Sequence, residues 1–428
     1  MSTPSLLNIP YVIKAGTLYS QIPETGAGDF TVTRATSPAN NRSTRINANG
    51  FIELVNDNVP RLDYPLGGAV NGCAALLVEP AATNAFFQSE AFGTSPWSAL
   101  AGATVTPNSI LAPDNNLTAD TINLDAQAGS RVQQTGLTVA NSTTYTFSCF
   151  FRNNTLTSGQ SFNFQINNGQ AAPNDFLVRG TIDTFNNTIS YGQVGTAGTG
   201  ISGTGSAKVE NYGNGWYRYS VTATTGTAAA SAVAFVQIIQ NQTVTTRSFY
   251  AWGAQFEVGS VATSYIHTTT QAIARATDVV NKGGIGGLIG QTEGTIYWEG
   301  ESLASGAQDI ISINQSNTNS VYITKITTNV YRCVVIASGT PEVIVDDTVV
   351  KTGFVKIAFA YKSGNTALFI NGAQVGLTNT TVFTFSGALS SLIFGPGAYY
   401  SGRPDQKCRT VALYPNRLSN GDLQTLTA

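Results

Sequence analysis

Strict alternation of apolar and polar residues runs through this chain and leaves room for little besides strands. "TYTFSCFF" at 144–151 sets Tyr145, Phe147, Cys149 and Phe151 against Thr and Ser. "WYRYSVTA" from 216 and "VYRCVVIA" from 330 repeat the pattern. Successive side chains of a strand point to opposite faces, so each run reads as a strand with one face toward a core. Apolar spacing of three and four, the mark of an amphipathic helix, is not sustained anywhere. "VKIAFAYKSGNTALFINGAQVG" at 355–376 reads as strand, turn, strand, turn, with Ser363-Gly364-Asn365 and Asn371-Gly372 as hairpin signals. The expected fold class is all-β, built from sandwiches or jelly rolls.

Length then sets the number of bodies. A chain of 428 residues is too long for one ordinary core, and two or three domains are expected. Charged residues are only 11%, less than half the usual quarter, and Asn, Thr, Ser and Gly take the solvent positions. Net charge is −2 and no Lys or Arg run appears, which argues against nucleic acid and anionic membrane surfaces as partners. "AAASAVAFVQII" (228–239) is too short and too interrupted to span a bilayer, so no membrane insertion is expected. The start, "MSTPSLLNIPYVIKAG", lacks the basic and apolar regions of a conventional secretory signal. Cys73, Cys149, Cys333 and Cys408 form no CxxC pair and read as free thiols, with a Cys333–Cys408 bridge as the alternative.

Composition shifts divide the chain into a Pro- and Asn-rich segment 1–82, a long all-β unit 83–268, a glycine-rich connector 269–289, and a second all-β unit 290–428.

Candidate chemistry is sparse. His267 is the only histidine, in a Thr-rich exit segment without a nucleophile elbow, so it reads as a solvated boundary residue. "GGIGGLIGQT" at 283–292 lacks the Gly-Lys-Ser/Thr ending of a phosphate loop and reads as a hinge. Glu299 and Glu301 in "YWEGES" share one face of a strand about 7 Å apart. Retaining glycoside hydrolysis needs carboxyl groups about 5–5.5 Å apart, and the pair is the one enzymatic candidate. Trp97, Trp216, Trp252 and Trp298 lie inside strand-like text and read as core. "GPGAYYSGRPDQK" at 395–407 supplies Tyr399 and Tyr400 for stacking on a sugar ring, with Arg403, Asp405 and Gln406 to hydrogen-bond hydroxyls.

Several stretches carry a resemblance. "DFTVTRATSPANNRSTRINANGFIELVNDNVPRLDY" followed by "ALLVEPAATN" resembles the N-terminal module of bacteriophage tail-fibre or head-fibre (virion appendage) proteins. "SEAFGTSPW", "APDNNLTAD", "TYTFSCFFR", the text at 211–222 and "WGAQFEVGSVATSYI" resemble the carbohydrate-binding-module-like jelly roll of the same proteins. "KIAFAYKSGNTALFINGAQV" and "VALYPNRLSNGDLQTL" resemble laminin-G or concanavalin-A-like lectin sandwiches. Where the phage proteins have "TSYIP", this chain reads "TSYIH".

The resemblance implies a small virion-attachment module, a jelly roll and a lectin-like domain, in a structural subunit assembled in the host cytoplasm and displayed on the virion surface. Its partners would be other virion proteins, host cell-surface glycans and two further copies in a homotrimer. Alternatives are a capsid decoration protein without a receptor role, or a polysaccharide depolymerase using Glu299 and Glu301. Jelly rolls of this type often carry a structural calcium ion, for which Glu90, Asp114, Asp120 and Glu257 would be the donors.

Overall fold

The computed structural model describes residues 2–34, 43–66, 72–241, 245–303, 306–316, 318–327, 330–395 and 405–428. The chain is all-β and forms two antiparallel sandwiches, one inserted in the other.

The outer body has two sheets. In one, Gln406–Tyr414 pairs with Glu293–Ser302, Ala75–Val78 and Leu6–Asn8, and the sheet extends through Val355–Lys362, Thr366–Ile370 and Ala373–Asn379. In the other, Ser391–Phe394 lies between Val279–Gly283 and Gln308–Ser316, and Phe30–Thr33 flanks Val279–Gly283. Leu6, Leu76, Ile296, Trp298 and Phe359 of the first sheet meet Phe30, Val280, Ile311, Ile323 and Phe394 of the second in one buried core. The far face of the first sheet is covered by the helix Asn420–Thr427, whose Leu423 packs near Tyr297, Phe369 and Tyr414. That helix starts at Ser419, which accepts a hydrogen bond from the Asp422 amide at 3.1 Å. With both faces covered, Val355–Lys362 is apolar nearly throughout rather than alternating.

Between Asn84 and Ile273 the chain leaves this body and builds the second sandwich, of two six-stranded sheets. Thr144–Asn153 sits at the centre of one, between Arg247–Val258 and Trp216–Thr225. Ser231–Gln240 sits between Arg131–Val139 and Phe162–Asn167 in the other. Phe147, Phe151, Phe162, Phe164 and Phe249 fill the space between them, Phe162 and Phe249 stacking at 3.8 Å. The two crossings pair with each other: Ala82–Asn84 runs antiparallel to Ile273–Arg275, with Asn84 opposite Ile273.

Two expectations about the division of the chain are corrected here. Among the described residues, 1–82 form short strands but no body of their own, because Leu6–Asn8, Phe30–Thr33, Arg61–Asp63 and Ala75–Val78 complete the sheets begun by the C-terminal third. Residues 269–289 are not a loose connector: they supply two strands and the short turn Gly286–Leu288, and Ile285 and Ile289 are buried in the core. Apolar residues among the glycines outweigh the flexibility the glycines suggest. The four cysteines are free, with Cys149, Cys333 and Cys408 buried. All four tryptophans are buried. Among the described residues no helix is long and apolar enough to cross a membrane.

Candidate functional site

Where the inserted sandwich meets the body, a buried charge cluster ties them together. Arg61 donates to Glu79 at 2.5 Å, to the Ser264 hydroxyl at 2.8 Å, and to Asp278. Glu79 also accepts from the Ser264 amide (2.7 Å) and hydroxyl (2.6 Å), and Arg275 lies 3.1 Å away. Arg34 donates to the other oxygen of Asp278 at 2.8 Å. Burial alone would raise the Glu79 carboxyl, but Arg275, Arg61 and Ser264 outweigh it and hold the group at about 2. Asn84 pins the crossing itself, donating to the carbonyls of Ala254 and Ile266 and accepting from the amides of Phe86 and Phe256.

Beside this cluster lies a cleft of about 360 Å³ whose walls come from both sandwiches. This falls within the usual range for small-ligand sites. Period-two alternation in "AKVENYG" turns Lys208, Glu210 and Tyr212 to the cleft, while Ala207 and Val209 pack on the inner core. The facing wall carries Asp63, Glu301 and Lys407 of the body. An adjoining depression of about 300 Å³ shares these residues and reaches Arg409 and Phe354. Lys208 pairs with Glu210 at 2.8 Å and Lys407 with Asp63 at 2.7 Å. Burial would lower the Lys407 ammonium, yet Asp63, with Tyr212 and Glu301, keeps it above its ordinary value. Burial pushes the Tyr212 phenol up to about 12, so it is a neutral hydroxyl here. Arg218 lines the cleft, donating to the Ser148 hydroxyl at 2.9 Å and to the Thr263 carbonyl at 2.6 Å.

A bulge separates the two glutamates singled out by sequence. Glu299 opposes Thr410 and Gly300 opposes Cys408, so Arg409 is the extra residue. Its guanidinium lies over the Phe354 ring at 3.6 Å and 3.8 Å from Glu299. Tyr297 also donates to Glu299, at 3.3 Å. Glu301 lines the cleft and Glu299 does not. A Cβ on Gly300 would lie 2.3 Å from the Trp298 ring and 2.5 Å from the Lys407 carbonyl. Gly300→Ala should therefore destabilise the protein by about 1–3 kcal/mol, read as a lower midpoint in urea unfolding.

The remaining sequence candidates fall elsewhere. Tyr399, Tyr400 and Arg403 lie outside the described residues. Asp405 and Gln406 are buried, not loop residues open to solvent. Gln406 accepts from the Trp298 indole at 3.1 Å and donates to the Ile310 carbonyl at 2.8 Å, and burial pushes the Asp405 carboxyl up.

The proposed calcium donors do not converge. Glu90 accepts from the Tyr265 hydroxyl at 2.9 Å, and Asp114 accepts from Asn116. Asp120 accepts from the amides of Phe92 and Asn108, and Glu257 from Gln255 and Thr263. Calcium takes six to eight oxygens, and among the described residues no three acidic, His or Cys side chains meet. These four acids do not fit the ion, because each is engaged by hydrogen bonds in its own surroundings. His267 is half-buried, 3.8 Å from Glu90, and not a solvated linker residue. Its neighbour Thr268 donates from its amide to the Ser89 hydroxyl at 2.9 Å.

No family model matches the chain, and no curated protein does. Among solved structures, the IT-sialidase CBM40 of Ruminococcus gnavus bound to α2,3-sialyllactose is 15% identical over 32% of this chain and 83% of that one, with a TM-score of 0.28. Mouse laminin α1 domains LG4-5 are 11% identical over 75% of this chain and 90% of that one, at 0.24. Trypanosoma rangeli sialidase is 11% identical over 72% and 60%, at 0.28. Scores of this size carry no argument about this chain's function.

Proposed function

We propose that this chain is an adhesive, non-catalytic structural subunit of a bacteriophage virion appendage, with the cleft between its sandwiches as a glycan site. The cleft is the observation that carries the glycan reading: an open groove lined by hydroxyl, carboxylate and ammonium side chains, with only one of the two candidate acids lining it. The resemblance of the quoted stretches to phage fibre proteins supports the virion assignment. Weak contacts at one cleft would gain strength from several copies on one particle.

The purified chain should bind host surface polysaccharide without releasing reducing ends. Release that disappears in Glu301→Gln would replace adhesion with hydrolysis. Labelled antibody should decorate fibres in electron micrographs of the particle. Label spread over the capsid shell would favour decoration instead.

A further inference from the structure

The cleft's charges say which glycans it suits. Its ionisable walls balance, with Asp63, Glu79, Glu210 and Glu301 against Arg45, Lys208, Arg218 and Lys407. The cations are engaged: Lys208 by Glu210, Lys407 by Asp63, and Arg45 by Glu53 at 2.6 Å. Arg218 is buried and its donors point to Ser148 and Thr263. An anionic group entering here would have to break an ion pair at Arg45, Lys208 or Lys407, or displace the hydroxyl and carbonyl partners of the buried Arg218, at a cost it would only partly recover.

The carboxylates are not all engaged alike. Asp63 and Glu210 hold ammonium groups, and Glu79 is enclosed by guanidinium groups. Glu301 faces Lys407 across the strand pair but makes no ion pair within 4.0 Å among the described residues. It is an acceptor with lone pairs to spare at the rim of both depressions. Ser206, Ser220, Thr222 and Ser260 add hydroxyls that both donate and accept.

We propose that the cleft takes an uncharged, hydroxyl-rich ligand, a neutral oligosaccharide segment, whose hydroxyls donate to Glu301. The inference rests on the reading of the cleft as a glycan site. A carboxylate accepting two sugar hydroxyls is a charge-assisted contact that needs no opposite charge on the ligand. The same carboxylate repels uronates and sialylated chains, which gives selectivity by exclusion.

The test uses the full chain, with equilibrium binding to neutral hexose oligomers, uronate or sialylated oligomers, and free-amine oligomers, at low and high salt. Neutral oligomers should bind best, with affinity nearly independent of salt. Glu301→Gln should weaken them by about tenfold to a hundredfold while leaving the melting curve unchanged. Glu210→Gln serves as the second cleft variant should Glu301→Gln fold poorly, and it too should weaken binding. Preference for anionic or amine oligomers overturns the inference but leaves glycan binding standing. Undiminished binding in both well-folded variants overturns the cleft assignment. No binding to any glycan overturns the functional reading itself.

Discussion

Residues 290–428 expressed alone should give no cooperatively folded protein. The fragment contains the whole stretch that reads as a lectin sandwich, yet both its sheets would be left incomplete. Gln406–Tyr414 would lose Leu6–Asn8 and Ala75–Val78, and Ser391–Phe394 would lose Val279–Gly283. The core would lose Leu6, Leu18, Phe30, Val32, Leu76, Val78 and Val280, all essentially fully buried. Each such side chain contributes about 1.5–3 kcal/mol when buried. Domains are stable by only about 5–15 kcal/mol, so the sum is as large as a whole domain's stability or larger. Residues 85–266 should behave differently, since they hold two complete six-stranded sheets and their own core. They should fold with a lower melting temperature than in the full chain. Removing the strands Thr44–Ile46 and Ile52–Leu54 takes Ile46 and Ile52 from the cluster containing Phe150, Trp216 and Trp252. Circular dichroism and thermal melts decide both points. A sharp cooperative transition for 290–428 would contradict the shared-sheet architecture.

The second large effect is expected at Glu79. Its carboxylate serves two buried guanidinium groups and both donors of Ser264. Glu79→Ala should cost about 3–5 kcal/mol, because Arg61 would remain buried with only Asp278 as its carboxylate and Arg275 would lose its ion pair. Urea unfolding at neutral pH measures it. A loss under about 1 kcal/mol would mean that water or rearrangement replaces the carboxylate. The pH dependence follows from the depressed value of this group. The stability it contributes is fully present above the carboxyl's ordinary value of 4.5 and is lost as pH falls toward about 2. Wild-type and Glu79→Ala stabilities should therefore converge between these limits and stay apart at neutral pH.

Alternation made the strands legible. The run at 144–151 is a strand whose odd-numbered residues enter the core, as its pattern requires. Asn371-Gly372 is a tight hairpin turn, with φ of 48° and 79°, between Thr366–Ile370 and Ala373–Asn379. Pairing across the chain was not legible. Nothing in "LLN" announces that Leu6 will lie opposite Leu413, since any short apolar run could fill that edge. Polarity misled at Asp405 and Gln406, because buried polar residues with internal partners look like loop residues until those partners are located. Part of the cleft could have been found. The order Lys208, Glu210, Tyr212 places three cleft-lining side chains on one strand face. The opposite wall, Glu301 and Lys407, comes from a different sandwich and has no local signature. The stretches that carry the phage-protein resemblance converge at the junction: Arg61 of "PRLDY", Glu79 and Asn84 of "VEPAATN", and Ser264 of "TSYI". Their residue types answer to the joint between the sandwiches more than to a ligand.

Both ends of the inserted sandwich return to the same place, through paired strands three residues long. A tug on that sandwich is thus shared by two covalent strands instead of being borne by one. Pulling the two bodies apart must shear the neck ladder and strip Ser264 from Glu79 together. Such a joint resists tension as a clevis does, whereas domains strung in series would pivot about single links.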